Sequence, residues 1–374
     1  MTDAPQAGPL TGVSVVEVGG IGPGPFAGML LADLGADVVR IDRPGEDLWP
    51  THQVLLRGRR SVVLDLKTEL GRDAVLALAE RSDVLLEGYR PGVAERLGFG
   101  PADALARNPR LVYGRMTGWG QDGPYAALAG HDLTYLAVSG ALEAFAGADG
   151  RPVPPLNLLG DFGGGGMLLA LGVVSALLHS RATGVGQVVD AAIVDGVASM
   201  TAMHQAMLVS GMWSAPRGQN LFDGGAPFYR CYRTRDDRWM AVGAIEPVFY
   251  ERLLAGLGLA PDDLAADQLD ETGWTRVAGV FEDVFASRSR QEWVEVFAGL
   301  DACVAPVLSA AEAAADPHLV ARGTYAVQPG PGTPVQPGAA PRFSASPART
   351  GTPAVRPGRH TEEVLRELGL TRGD

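Results

Sequence analysis

The chain opens with a short, almost unbroken apolar run, Val13-Ser14-Val15-Val16-Glu17-Val18, and runs of the same kind recur at residues 37–41, 61–66, 83–87 and 111–116. Each is rich in Val, Leu or Ile and lacks the polar alternation of a half-solvated strand, so the pattern predicts strands covered on both faces in a parallel sheet. Between the runs the apolar spacing becomes helical. Phe26, Met29, Leu30, Leu31 and Leu34 share one face, and a helix is expected from Pro25, suited to a first turn, to Gly35, suited to a left-handed cap. A second helix is expected over 70–81. The alternation points to an α/β fold with a Rossmann-like, doubly wound large domain.

Further along, residues 187–193 read as another strand and 195–212 as one long helix carrying Met200, Met203, Met207 and Met212. At 214–225 the composition turns to Gly, Pro and Asn, which marks a domain boundary. Beyond it, a hairpin (226–234 with 239–245), helices within 249–300, a strand at 303–307 and a helix near Ala310 describe a smaller α+β domain. Residues 328–358 are dense in Pro and Gly without a repeat, which suits an extended crossing segment. Thr361 is expected to cap a last amphipathic helix over 362–368, with Gly369 stopping it. The expected division is therefore 1–224 together with 316–374 as the large domain, including the linker helix near 195–212, and 225–315 as the small one.

Charge narrows the partners. A net charge of -12 over 374 residues argues against nucleic acid and anionic membrane as main partners, so any anionic ligand needs a local arginine cluster. The two cysteines, Cys231 and Cys303, make neither a disulfide framework nor a metal site. No basic stretch leading into an apolar core opens the chain, and the apolar run after Asp161 reads as too short for a membrane span. A soluble cytoplasmic protein is expected.

Three stretches carry candidate chemistry. The first strand is followed by Gly22-x-Gly24-x-x-Ala27, with Asp42 some twenty residues on, a nominal dinucleotide fingerprint. Pro23 and Pro25, however, remove two of the amides a pyrophosphate would use. Arg40, Arg43, Arg57, Arg59, Arg60, Arg90 and Arg96 gather at strand ends and in the following loops. That placement fits a phosphorylated ligand in the crevice of an open sheet, and it fits an ordinary solvated surface equally well. The third stretch spans residues 130–171. His131 falls in the first turn of a short helix, where the positive helix end disfavours its protonated form. Asp161 precedes four glycines and an apolar run, so on spacing it reads as an N-cap, with the glycine amides left open to hold an oxyanion.

Taken together, several segments resemble the family III CoA-transferase superfamily (CaiB/BaiF type), and within it the α-methylacyl-CoA racemases. They include Pro9-Leu10-x-Gly12-Val13 through Gly22-Pro23-Gly24-Pro25-Phe26 and Leu30-Leu31-Ala32-Asp33-Leu34-Gly35-Ala36-Asp37. Leu86-Glu87-Gly88-Tyr89-Arg90-Pro91-Gly92, Gly130-His131-Asp132, Gly160-Asp161 and the closing His360-Thr361-Glu362-Glu363 also match. The resemblance implies an interlocked homodimer, each chain a ring through which the other passes. It implies an isomerase that interconverts (2R)- and (2S)-2-methylacyl-CoA thioesters, with His131 and Asp161 exchanging the α-proton on opposite faces. Glu246 would pair with the histidine, and the Asp161 and glycine amides would hold the enolate oxygen. Arg43 and Arg96, then Arg40, Arg90, Asp132 and Tyr135, would bind CoA. No metal is implied, and no cofactor beyond the CoA of the substrate. The rival within the fold is a CoA-transferase using Asp161 as nucleophile to move CoA between carboxylic acids. His131 separates the two, because a transferase needs no second acid–base group across the α-carbon.

Overall fold

The computed structural model of the chain describes residues 8–47, 52–145, 150–213, 216–264, 266–326 and 335–370. Outside them lie Ala146 of the loop before Asp161, Ser214 of the Gly/Pro/Asn stretch, and residues 328–334 of the Pro/Gly-rich segment. In chain order the large region runs β1 (Ser14–Val18), α1 (Pro23–Asp33), β2 (Asp37–Asp42), α2 (His52–Leu55), β3 (Arg59–Val63), α3 (Glu69–Arg81) and β4 (Val84–Glu87). It continues with α4 (Val93–Arg96), α5 (Pro101–Arg107), β5 (Val112–Thr117), α6 (Asp132–Val138), a π-helical stretch (Leu158–Met167) that leads directly into α7 (Leu168–Thr183), β6 (Gln187–Ala192) and α8 (Ile193–Met200).

Six parallel strands pair in the order β3-β2-β1-β4-β5-β6, so strand order reverses between β1 and β4. The fold is mixed α/β with a parallel central sheet, covered on both faces as the apolar runs require. On one face Val16, Val18, Val39, Ile41, Val62 and Leu85 pack against Ala74, Val75 and Leu78 of α3, Phe99 and Ala104, and Val364 and Leu365 of the last helix. On the other lie α1 and α7; at Gly114 of β5 a Cβ would meet Leu86, Leu169 and Val173. Burying one such Leu or Val side chain stabilises by roughly 1.5–3 kcal/mol, which is why the strands tolerate so few polar residues.

The chain divides into two compact units. The first holds Met1–Ser139, Pro155–Met200 and Pro317–Asp374; the second holds Gly140–Pro154 and Thr201–Asp316, and so reaches beyond 225–315. The second unit contains α9 (Ala202–Ser210) and an antiparallel sheet of β7 (Tyr229–Arg233), β8 (Trp239–Gly243) and β9 (Val304–Pro306). Its helices are α10 (Pro247–Leu257), α11 (Pro261–Leu264), α12 (Trp274–Ala286), α13 (Arg290–Phe297) and α14 (Ala310–Ala315). Its core is aromatic, with Tyr232 stacked on Phe285 at 4.8 Å between ring centres and Phe228 edge-on to Trp274 at 5.8 Å. The first unit closes with α15 (Pro317–Arg322), a short antiparallel pairing of β10 (Tyr325–Ala326) with β11 (Gln336–Pro337), and α16 (Thr361–Leu368).

Several expectations need correction. Helix α1 begins at Pro23 rather than Pro25, with Gly22 as its N-cap at φ 68°. The single helix expected over 195–212 is two, α8 and α9, separated at Thr201. His360, not Thr361, is the N-cap of α16. The Thr361 hydroxyl instead accepts the Val63 N–H at 3.0 Å and donates to Gly358 O at 2.9 Å, while His360 Nδ1 accepts the Ser61 N–H at 3.0 Å. The C-terminal segment thereby covers the free edge of β3, a row of donors that would otherwise invite pairing.

The apolar stretch after Asp161 is also longer than expected. Residues Leu158–Thr183 form one helical rod of 26 residues, long and apolar enough by length and composition to cross a membrane. Its inner face, Leu169, Val173, Ala176 and Leu177, is buried in the first unit, whereas Met167, Leu171, Val174 and Leu178 are exposed.

Candidate active site

A cleft of about 870 Å³ opens at the carboxyl ends of β1, β2, β4 and β5, where ligands bind in open α/β sheets. Each wall is the segment that leaves a strand: Gly19–Pro25 after β1, Arg43–Glu46 after β2, Gly88–Pro91 after β4 and Gly118–Trp119 after β5. Across the opening stand His131, Tyr135, Asn157 and Asp161. All of these belong to the first unit.

His131 is the N-cap of α6, and its backbone N–H donates to the Thr134 hydroxyl at 3.0 Å. That bond fixes the backbone at the helix entrance and leaves the imidazole exposed in the cleft. Asp161 is half-buried in the π-helical stretch, four residues after Asn157, whose side-chain amide donates to Asp161 Oδ2 at 3.4 Å. At Gly22 a Cβ would stand 3.3 Å from the same oxygen, so a side chain at this left-handed position would crowd the carboxylate. Burial pushes the Asp161 carboxyl above the ordinary carboxylate range; the Asn157 hydrogen bond opposes this, the negative Asp132 adds to it, and His131 opposes it again. The two proton-transfer candidates therefore share one cleft and act on each other's charge. Tyr135 packs edge-on to Trp119 at 4.7 Å, and its hydroxyl is held above the ordinary phenol range by burial and by the Asp161 charge.

The arginines divide by the face of the strand they occupy. Arg43, one residue past β2, is exposed on the cleft wall with its guanidinium 5.8 Å from the Tyr89 ring centre, and Arg90 is exposed on the next wall. Arg40, expected as a CoA contact, is instead an interior residue at 1% exposure. It bonds Glu17 Oε1 at 2.7 Å and Asp42 Oδ1 at 2.6 Å, and it reaches Gly20 O at 3.3 Å. Arg59 completes the network through Glu17 Oε2 at 2.6 Å, and Arg57 pairs with Asp33 at 2.5 Å. A guanidinium so engaged cannot turn to a phosphate without leaving an uncompensated carboxylate in the interior. The same network answers the dinucleotide motif: Asp42, at 3% exposure, accepts from Arg40 and from Ser61 Oγ at 2.5 Å and does not line the cleft, so it is not presented to a ribose. Arg96 is exposed at the end of α4 and does not line the cleft.

Two further readings change. Asp161 is not an N-cap, since Asn157 precedes the helical stretch and the glycines lie inside it. Their role is steric. A Cβ at Gly196 of α8 would stand 1.9 Å from Gly164 O, and one at Gly166 would stand 2.7 Å from Pro23 O. The glycines let α1 and α8 press against the rod, so their amides form no open cradle. Asp132, expected as a CoA contact, turns inward at 8% exposure, and its Oδ1 accepts the Asp161 N–H at 2.7 Å. That amide is thus unavailable to an enolate oxygen.

The family model described as CoA-transferase family III matches residues 10–361. The chain belongs to this family. Its relatives include the human α-methylacyl-CoA racemase, 46% identical over 97% of this chain and 94% of that protein, and the mouse α-methylacyl-CoA racemase, also 46% identical with the same coverage. Among solved structures, a CaiB/BaiF family protein from Brucella suis superposes with a TM-score of 0.83 at 25% identity, covering 97% of this chain and 100% of that one. Within this family III chain, the geometry adds Asn157, which the residue pattern did not flag. The signal was present: an amide side chain four residues before a half-buried carboxylate on a helix points along the same face. Glu246 belongs to the second unit, where it is exposed at the N-cap of α10.

Proposed function

We propose that this family III protein is an α-methylacyl-CoA racemase, interconverting the two epimers at C2 of a 2-methylacyl-CoA thioester by proton exchange between two groups. The observation that carries the reading is the meeting of His131 and Asp161 in one cleft, with the Asp161 carboxyl held at raised proton affinity. A carboxylate that binds its proton more tightly than usual is a better base toward a weakly acidic C–H, and closer to imidazole in strength, so the two can exchange roles.

In this mechanism Asp161 carboxylate removes the α-proton from one epimer, giving Asp161-COOH and an enolate. His131 imidazolium then returns a proton to the opposite face and becomes neutral imidazole. The reverse direction begins with neutral His131 and ends on Asp161. With the Asp161 amide committed to Asp132 and the Thr134 amide to His131 O, the enolate oxygen is left to other donors of the cleft wall. Arg43 and Arg90, exposed on the cleft walls, are the proposed phosphate partners of CoA. No group beyond the thioester enters these steps.

Two wider parts of the reading go with it. The exposed apolar face of the long rod, Met167, Leu171, Val174 and Leu178, supports burial against a second copy of the chain, in the interlocked dimer the family resemblance implies. Glu246 is the proposed acid–base partner of His131, as the family resemblance implies. Free, exposed thiols at Cys231 and Cys303 support a reducing, cytoplasmic setting.

The test is incubation of one epimer of a 2-methylacyl-CoA in D₂O. Deuterium at C2 together with epimerisation is the expected outcome, and both should vanish in His131→Ala or Asp161→Ala. Formation of a new acyl-CoA from an added carboxylate, with C2 untouched, would instead assign Asp161 the role of a transferase nucleophile.

A further inference from the structure

We propose that Asp132 is a positioning residue: its carboxylate grips the backbone amide of Asp161 and so fixes the separation of the two proton-transfer groups. The π-helical stretch sets the arrangement. Its amides pair five residues back, as Phe162 N–H does with Asn157 O at 3.3 Å. The Asp161 N–H would by that rule look to residue 156, which lies before the stretch begins, so it is one of the orphan donors of a helix start. Asp132 Oδ1 takes it at 2.7 Å, and Asp132 is buried. The carboxylate fits there because position 160 has no side chain: a Cβ would lie 2.2 Å from Asp132 Oδ1.

The consequence is geometric. His131 is the N-cap of α6 and Asp132 is the first helical residue, so a single peptide unit separates the imidazole's backbone from the group that anchors Asp161. A charge-assisted hydrogen bond is short and directional. It ties the entrance of α6 to the helical rod at the point where both face the cleft. Asp132 does not line the cleft itself, so it acts through Asp161. Its negative charge also raises the proton affinity of the Asp161 carboxyl, which is faced besides by His131 and Asn157 and coupled to the Tyr135 hydroxyl.

The kinetic part of this inference rests on the racemase reading; the structural part does not, and the experiment separates them. Asp132→Asn keeps an acceptor oxygen and the volume but loses the charge, and Asp132→Ala loses both. Expected for Asp132→Ala is a fall in kcat of roughly 10–100-fold with KM changed less than about threefold, because a displacement of the order of 1 Å at the reacting groups costs that much. Asp132→Asn should retain most of kcat while the acid limb of its pH profile moves to lower pH, a shift that a merely structural residue would not produce. By NMR, the Asp161 amide should lose its protection from hydrogen exchange in Asp132→Ala, and the Asp161 carboxyl should titrate lower in both variants. If Asp132→Ala fails to fold, Gly160→Ala, whose Cβ displaces the same carboxylate, supplies the second test. Unchanged amide protection and unchanged Asp161 titration overturn the proposal. Changed NMR behaviour in an enzyme that does not exchange C2 hydrogen supports the positioning role and overturns the racemase reading alone.

Discussion

Replacing Arg40 by methionine separates an interior ion pair from a ligand contact. The guanidinium it removes is 1% exposed and bonded to Glu17 at 2.7 Å and Asp42 at 2.6 Å. Breaking one side of a buried pair typically costs about 3–5 kcal/mol, because the partner's charge stays in the interior without compensation. Here the remaining carboxylates are not wholly abandoned. Glu17 keeps Arg59 at 2.6 Å, and Asp42 keeps the Ser61 hydroxyl. The lower end of the range, about 3 kcal/mol, is therefore expected. For a domain of 150–250 residues that corresponds to a drop in Tm of roughly 6–12 °C.

Thermal unfolding followed by circular dichroism, with KM for a 2-methylacyl-CoA measured well below the melt, supplies the two readouts. Arg40→Met should melt earlier and bind substrate with KM within about threefold of the parent. A double-mutant cycle with Asp42→Asn should recover part of the loss, since Asp42, left with the Ser61 hydroxyl, is the orphaned charge. The opposite pattern, an unchanged melt and a KM raised tenfold or more, would mean that Arg40 reaches the ligand after all, and the interior network would be the wrong account.

Arg43→Ala is the complementary case: with its side chain exposed on the cleft wall, KM should rise about tenfold while Tm moves by less than about 2 °C, because surface charges contribute little to stability. Gly196→Ala places a Cβ against Gly164 O, and backbone cannot yield as a side chain can; a destabilisation of about 2–3 kcal/mol is expected in the same melting assay. Asn157→Ala removes a donor that favours ionised Asp161, so the acid limb of the pH–rate profile should move to higher pH, opposite in sign to the effect of Asp132→Asn. Burial lowers the proton affinity of His360, whose Nδ1 must stay neutral to accept from Ser61 N–H. Its contribution to stability is then fully present above the ordinary imidazole value near 6.5 and lost as pH falls below it, and hydrogen exchange at Ser61 should accelerate over that window.

The contrast between Arg40 and Arg43 also shows which parts of the molecule a sequence makes legible. The strands were plain, because a strand covered on both faces must be apolar almost throughout, and composition alone records that. What composition does not record is the face on which a polar exception falls. Val38, Arg40 and Asp42 alternate with Val39 and Ile41, and the latter pair fills the core beneath α3. Arg40 therefore points to the α1 side, where Glu17 waits on the neighbouring strand in register with it. Arg43 is past the last paired residue and free to leave the sheet. The clue lay in the charges themselves: Glu17 and Arg40 each interrupt an apolar run, and charges inside buried strands survive only as partners.

The glycines failed as a guide for a related reason. A run of glycines before an apolar helix has the same spelling whether it frees amides for a ligand or lets other helices press close. Only the neighbours decide, and at Gly164 and Gly166 those neighbours are the backbones of α8 and α1, brought there by residues far away in the chain. The same tertiary closeness puts Asp132 beside the Asp161 amide across 29 positions. A local pattern can name two candidate groups for proton exchange, but the backbone amide of one of them is held by a carboxylate that no spacing rule connects to it.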